Sequence, residues 1–248
     1  TAEDDVYLPI TATVRFAYFT TINSLRSDGQ LTVASGQLAL RQDGIVRNSL
    51  LLQNGDLRAN DAITVTGPFT WTGGTLGGPG RVVVAGALDV SGDSHFLEGA
   101  VLVNRGAATW RAGNFYLTDG AIFENAAGAT LEVSANANFW HYYNVGAAPR
   151  LRNLGVITKT TSSDLQVLTR FENSGDLNIV AGALLLDEVF DHTGALQVQD
   201  GATLRFTSNT VGALAAGSSV TGGGRVIFDN NGWSGKTVTV AWRYALTG

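Results

Sequence analysis

Gly175-Asp176-Leu177-Asn178-Ile179-Val180-Ala181-Gly182-Ala183-Leu184-Leu185-Leu186 is the stretch that decides how this chain is read. Leu177 and Ile179, then Leu184 and Leu186, sit at alternate positions. A period of two puts such residues on one face of a strand. The two glycines open each short run, where turns need positive φ. The same unit runs from Gly29 to Leu40, and a close version runs from Gly194 to Phe206. All three units keep the same offset between their two glycines: Gly29 and Gly36, Gly175 and Gly182, Gly194 and Gly201. The step from Gly175 to Gly194 sets the period of the repeat. Weaker copies occur at Gly86-Ala87-Leu88-Asp89-Val90, Gly128-Ala129-Thr130-Leu131-Glu132-Val133 and Gly224-Arg225-Val226-Ile227-Phe228.

A unit this small cannot bury its own apolar face and has to stack on its neighbours. The expected fold is all-β: a single-stranded parallel β-helix (β-solenoid) of roughly a dozen coils of about 20 residues. At ~4.8 Å per coil the rod would be on the order of 55–60 Å long. Residues 1–20 read as an N-terminal lead-in or cap strand. Residues 21–248 read as the β-helix, itself one segment of a longer polypeptide or the whole of it. The competing fold is an antiparallel sandwich or barrel. Asn54-Gly55 suits a hairpin turn of that kind, but the recurring internal offsets do not.

Composition agrees with a stacked repeat. Glycine makes up 31 of 248 residues, above the usual ~7%. Charged residues make up 15%, below the usual ~25%. No three-residue glycine period supports collagen, and 44% apolar content argues against a disordered tail. With no cysteine, zinc modules and disulfide scaffolds are excluded. The sequence pI near 5.1 and the lack of a basic stripe argue against nucleic acid. No apolar run approaches the ~20 residues of a membrane span. The opening Thr1-Ala2-Glu3-Asp4-Asp5 is expected of a processed chain or a fragment.

Several stretches carry a family likeness. Phe69-Thr70-Trp71-Thr72-Gly73-Gly74-Thr75-Leu76-Gly77-Gly78-Pro79-Gly80-Arg81-Val82 resembles the W-T-G-G-T signature of β-solenoid repeats in very large secreted bacterial surface proteins. Asn104-Arg105-Gly106-Ala107-Ala108-Thr109-Trp110, Asn125-Ala126-Ala127-Gly128-Ala129-Thr130-Leu131, Phe171-Glu172-Asn173-Ser174-Gly175 and Gly217-Ser218-Ser219-Val220-Thr221-Gly222-Gly223-Gly224 are similar to further units of that group. The resemblance implies an adhesin-like or autotransporter-passenger-like β-helix, exported to the bacterial surface or beyond. The chain departs from the group's pattern at Phe16-Ala17-Tyr18-Phe19, at Phe139-Trp140-His141-Tyr142-Tyr143 and at Trp242-Arg243-Tyr244, where bulky aromatics replace small or polar residues.

The titratable residues offer little chemistry. Polysaccharide hydrolysis needs two carboxylates at a defined separation, and a lyase needs a base, often beside a calcium cluster. The nearest grouping is Asp187, Glu188 and Asp191 with His192 and Arg170, which reads either as a metal or acid–base site or as a solvated loop. His95, His141 and His192 show no metal-ligand spacing, and no nucleophile elbow occurs. The expectation is therefore a non-catalytic structural or adhesive module, with no cofactor and no metal site. Its partners would be other copies of itself or adjacent repeats, joined head to tail through open coil ends. The alternative is a β-helix that binds or cleaves extracellular polysaccharide. Planar rings suit both sugar and protein contacts. Phe139, Trp140, Tyr142, Tyr143, Trp242 and Tyr244 are therefore the expected ligand- or partner-binding residues.

Overall fold

The computed structural model describes residues 3–142, 146–229 and 238–240. These residues hold 34 short strands and no helix. The strands form three parallel sheets of 12, 11 and 11 members, and the chain visits the sheets in strict rotation. Asp5–Leu8 belongs to the first sheet, Thr13–Phe16 to the second and Phe19–Ile22 to the third; Ser24–Ser27 returns to the first. Three strands thus make one coil. Residues Asp5–Ile22 supply coil 1, with one strand in each sheet.

Register defines the coil length. Val6, Leu25, Gly44, Ile63 and Val82 stack in one column, separated by equal steps along the chain. The column continues to Leu102, Phe123 and Leu151. The step from Phe123 to Leu151 is the longest of these, because it carries the connection 142–149. Alternation along each strand sends every second side chain inward. Leu, Val, Ile and Phe from all three sheets merge into one continuous apolar core, from Ile22 to Val220.

The two glycines of the repeat unit have different tasks. Gly175 and Gly194 lie at the corner between the first and second sheets, where successive coils nearly touch. A Cβ on Gly175 would lie 2.1 Å from the Gly155 carbonyl oxygen. Gly182 and Gly201 turn the next corner with φ of +63° and +79°, a region that L side chains enter at a cost. The two kinds of glycine should respond differently to substitution. Gly175→Ala is expected to destabilise the chain by about 1–3 kcal/mol through overlap with backbone that cannot yield. Gly201 has open space around it, so Gly201→Ala should cost about 1 kcal/mol, from backbone conformation alone. Urea unfolding of both variants measures the difference, and equal losses would refute the steric account of the first corner.

Candidate functional site

Strand alternation divides the aromatic run at 139–142. Phe139 points inward and is 1% exposed. It stacks on Phe115 at 4.9 Å and meets Trp110 edge-on at 4.7 Å. Phe139 is therefore a core residue and not a contact residue, because its parity on the strand Asn138–His141 matches the core column. Trp140 and Tyr142 lie on the outer side. Tyr143, Trp242 and Tyr244 lie outside the described residues.

Trp140 belongs to an outer column on the third sheet. Register places Thr75, Phe96, Tyr116, Trp140 and Leu168 one above another on five successive coils. Phe96 and Tyr116 stack at 5.1 Å, and Tyr142 sits edge-on to both at 5.7 and 5.0 Å. Phe96 and Tyr116 escape the reading of the sequence, although a signal exists. Ser94-His95-Phe96, Asn114-Phe115-Tyr116 and Asn138-Phe139-Trp140 are one pattern repeated on three coils. Beside this column runs a second one of amides. Asn114 Oδ1 accepts from the Asn138 backbone N–H, and Asn138 Oδ1 accepts from that of Gln166, both at 2.9 Å. On the same face Arg58 reaches across side-chain-free Gly77 to Glu98, two coils away, at 2.7 Å.

The polar residues of the interior are arranged with equal order. Asn104, Asn125, Asn153, Asn173 and His192 end successive strands of the first sheet and are all buried. Each asparagine Nδ2 donates to the next residue of the ladder. The distances are 2.8 Å to Asn125 Oδ1, 2.8 Å to Asn153 Oδ1, 2.7 Å to Asn173 Oδ1 and 2.8 Å to His192 Nδ1. Lys159 is likewise buried, 1% exposed, in a column otherwise held by residues such as Val133 and Ile179. Its Nζ donates to the carbonyls of Thr161, Ser163 and Ala181 at 2.6–2.7 Å. Burial pushes its pKa down to about 8, with Asp164 acting in the other direction, so the ammonium stays charged at neutral pH. It ties a corner of one coil to the coil above.

The acidic grouping near His192 does not converge. His192 points into the core. Asp191 points outward and pairs with Arg170 at 2.7 Å. Asp187 accepts from the Thr207 hydroxyl at another corner. On the outer face of the first sheet, Arg170 and Arg152 both meet Glu172, at 2.9 and 3.1 Å, and Arg152 also meets Glu124 at 3.3 Å. The Glu172 carboxylate holds the Arg152 guanidinium above its ordinary pKa. Among the described residues no group of three or more His, Cys, Asp or Glu is placed to hold a metal ion.

Three parallel sheets wound in rotation around one core, with ladders of like side chains inside, define the chain as a parallel β-solenoid of about 11 turns. No protein-family model matches the chain, and no curated protein or solved structure matches it.

Proposed function

We propose that the chain is a non-catalytic structural and adhesive module that works outside the bacterial cell, at the surface or in an extracellular filament, by stacking end to end with further copies. The observation that carries this reading is the first coil. Among the described residues its three strands are paired on one side only, an edge that a further copy or an adjacent repeat of the same polypeptide would pair. Val6, Leu8, Val14 and Phe16 face the core there but are only partly buried, and Ile10, Tyr18 and Phe19 are largely exposed. Unpaired strand edges beside apolar surface favour the addition of another strand layer. A coil of matching cross-section satisfies both needs, pairing the backbone and covering the apolar residues. The adhesin-like or autotransporter-passenger-like character suggested by the sequence resemblance belongs to this proposal.

Light scattering across a concentration series tests it. The wild type is expected to form end-to-end oligomers that lengthen with concentration, and Val14→Lys should return them to monomers. A wild type that stays monomeric throughout, indistinguishable from the variant, would sink the proposal.

Binding of extracellular polysaccharide is a second reading, favoured by the paired aromatic and amide columns on the third sheet. Their residues recur once per coil, as a linear glycan recurs once per sugar. The faces of Phe96 and Tyr116 are turned to each other, so a glycan would meet ring edges and hydroxyls. A glycan array together with a reducing-sugar assay separates this reading from pure assembly.

A further inference from the structure

The asparagine ladder has a direction, and backbone groups pin it. The second Nδ2 hydrogen of Asn104 goes to the Thr130 carbonyl at 2.9 Å. That of Asn125 goes to the Val156 carbonyl at 3.1 Å, and that of Asn153 to the Asp176 carbonyl at 2.9 Å. Asn104 Oδ1 accepts from the Gly106 backbone N–H at 3.2 Å. A carbonyl only accepts and an amide N–H only donates. No asparagine in the ladder can turn its amide over without setting donor against donor or acceptor against acceptor. At the far end Asn173 donates to the Gly175 carbonyl at 3.2 Å and to His192 Nδ1 at 2.8 Å.

This geometry dictates the state of His192. Its Nδ1 must be an acceptor, so the ring is neutral with its proton on Nε2. Nε2 faces the Ser219 carbonyl of the coil above at 3.4 Å. A second proton would sit on Nδ1, opposite the Asn173 NH2 group. Because the ladder cannot reverse, the conflict has one outlet: the ring must leave the interior. We propose that His192 is an acid-sensitive latch, which joins coils 10 and 11 (residues 189–228) to the ladder as neutral imidazole and releases them when protonated. Release would bare the strands Arg170–Asn173, Asp176–Ile179 and Ala183–Leu186 of coil 9, a fresh solenoid end.

The surroundings offer the imidazolium no compensation. Inside, the ring meets Asn173, the parallel ring of Phe190 at 5.6 Å, Leu214 one coil on and the Ser219 carbonyl. The charged groups near it on the first sheet are Arg170, Glu172 and Asp191. They lie on the outer side and bind one another. Glu188 and Asp176 are exposed at corners. Among the described residues no charged side chain faces the ring. Burial accordingly holds its pKa below the ordinary histidine value. The sign follows. Above pH ~6.5 both the closed and the open coil carry a neutral ring, and closing does not depend on pH. Below ~6.5 the open coil takes up a proton that the closed coil refuses, so closing weakens as pH falls.

Site-resolved hydrogen exchange, corrected for the intrinsic pH dependence of exchange, tests the latch. In the wild type, protection of the amides in residues 189–228 should fall as the pH drops below ~6.5, by at most about tenfold per pH unit, while residues 30–59 hold theirs. His192→Asn preserves an acceptor for Asn173 and removes the titration, so its protection should be flat with pH. An equal fall in the variant, or no fall in the wild type, would overturn the proposal. If His192→Asn does not fold, nitrogen NMR of the wild-type ring decides. A neutral ring protonated at Nε2, titrating well below ~6.5, supports the latch; a ring protonated at Nδ1, or an ordinary pKa, refutes it.

Discussion

Asn153→Leu is expected to destabilise the chain by about 3–5 kcal/mol, although leucine keeps the branched four-atom skeleton of asparagine. Asn153 accepts from Asn125 at 2.8 Å and donates to Asn173 Oδ1 and the Asp176 carbonyl at 2.7 and 2.9 Å. Leucine leaves these partners in place and unpaired, in a core that water does not reach. Each orphaned buried group costs about 1–3 kcal/mol. The column itself has no aversion to apolar residues, since Val46, Val65 and Val84 hold the same position on earlier coils. What matters is a broken ladder with asparagines on both sides. Asn104→Val should therefore cost clearly less, because Asn104 has an asparagine on one side only. Denaturant unfolding of the two variants measures this, and equal losses would mean the ladder adds nothing beyond packing.

The second large effect is expected at Phe115, which is fully buried at the centre of the aromatic interior. Its ring stacks on Phe139 at 4.9 Å. It also meets Trp110 at 5.0 Å, Phe123 at 5.3 Å and Trp71 at 5.5 Å. Phe115→Ala should cost about 3–5 kcal/mol, combining lost transfer energy with the cavity left behind. Collapse around the void is hindered, because those rings sit on strands fixed by hydrogen bonds to both neighbouring coils. Trp71 and Trp110 are further anchored, their indole N–H groups donating to the carbonyls of Gly73 and Gly113 at 3.1 and 2.7 Å. A loss below about 1 kcal/mol would show that the neighbours refill the space after all.

The fold is most legible in the sequence where local geometry repeats. The glycine pairs mark the corners, because both close coil contact and positive φ exclude a side chain whatever surrounds them. Alternating Leu, Val and Ile mark the inner face, because strand parity is a local property. Parity also holds the answer at two less obvious positions. Phe139 is in step with buried Ala135 and Ala137, and Lys159 is in step with buried Ile157. The aromatic run at 139–143 reads as one surface because five bulky residues in a row obscure the alternation that separates Phe139 from Trp140.

Stacking lies beyond such local rules. In one column the steps from Ile63 to Val82, to Leu102, to Phe123 and to Leu151 are all unequal. No constant offset therefore shows that Phe96, Tyr116 and Trp140 share a column, or that four asparagines and a histidine form one chain of hydrogen bonds. Corner insertions lengthen a coil without disturbing its sheets, since the strands on either side keep their register. Turn geometry and strand parity are local, so the amino-acid sequence alone tells that this chain must coil and that its alternating Leu, Val and Ile face inward. Which residues meet from coil to coil emerges only once the coils are stacked. Those meetings, set by register across loops of unequal length, hold the ladder that ends at His192 and the aromatic column on the third sheet.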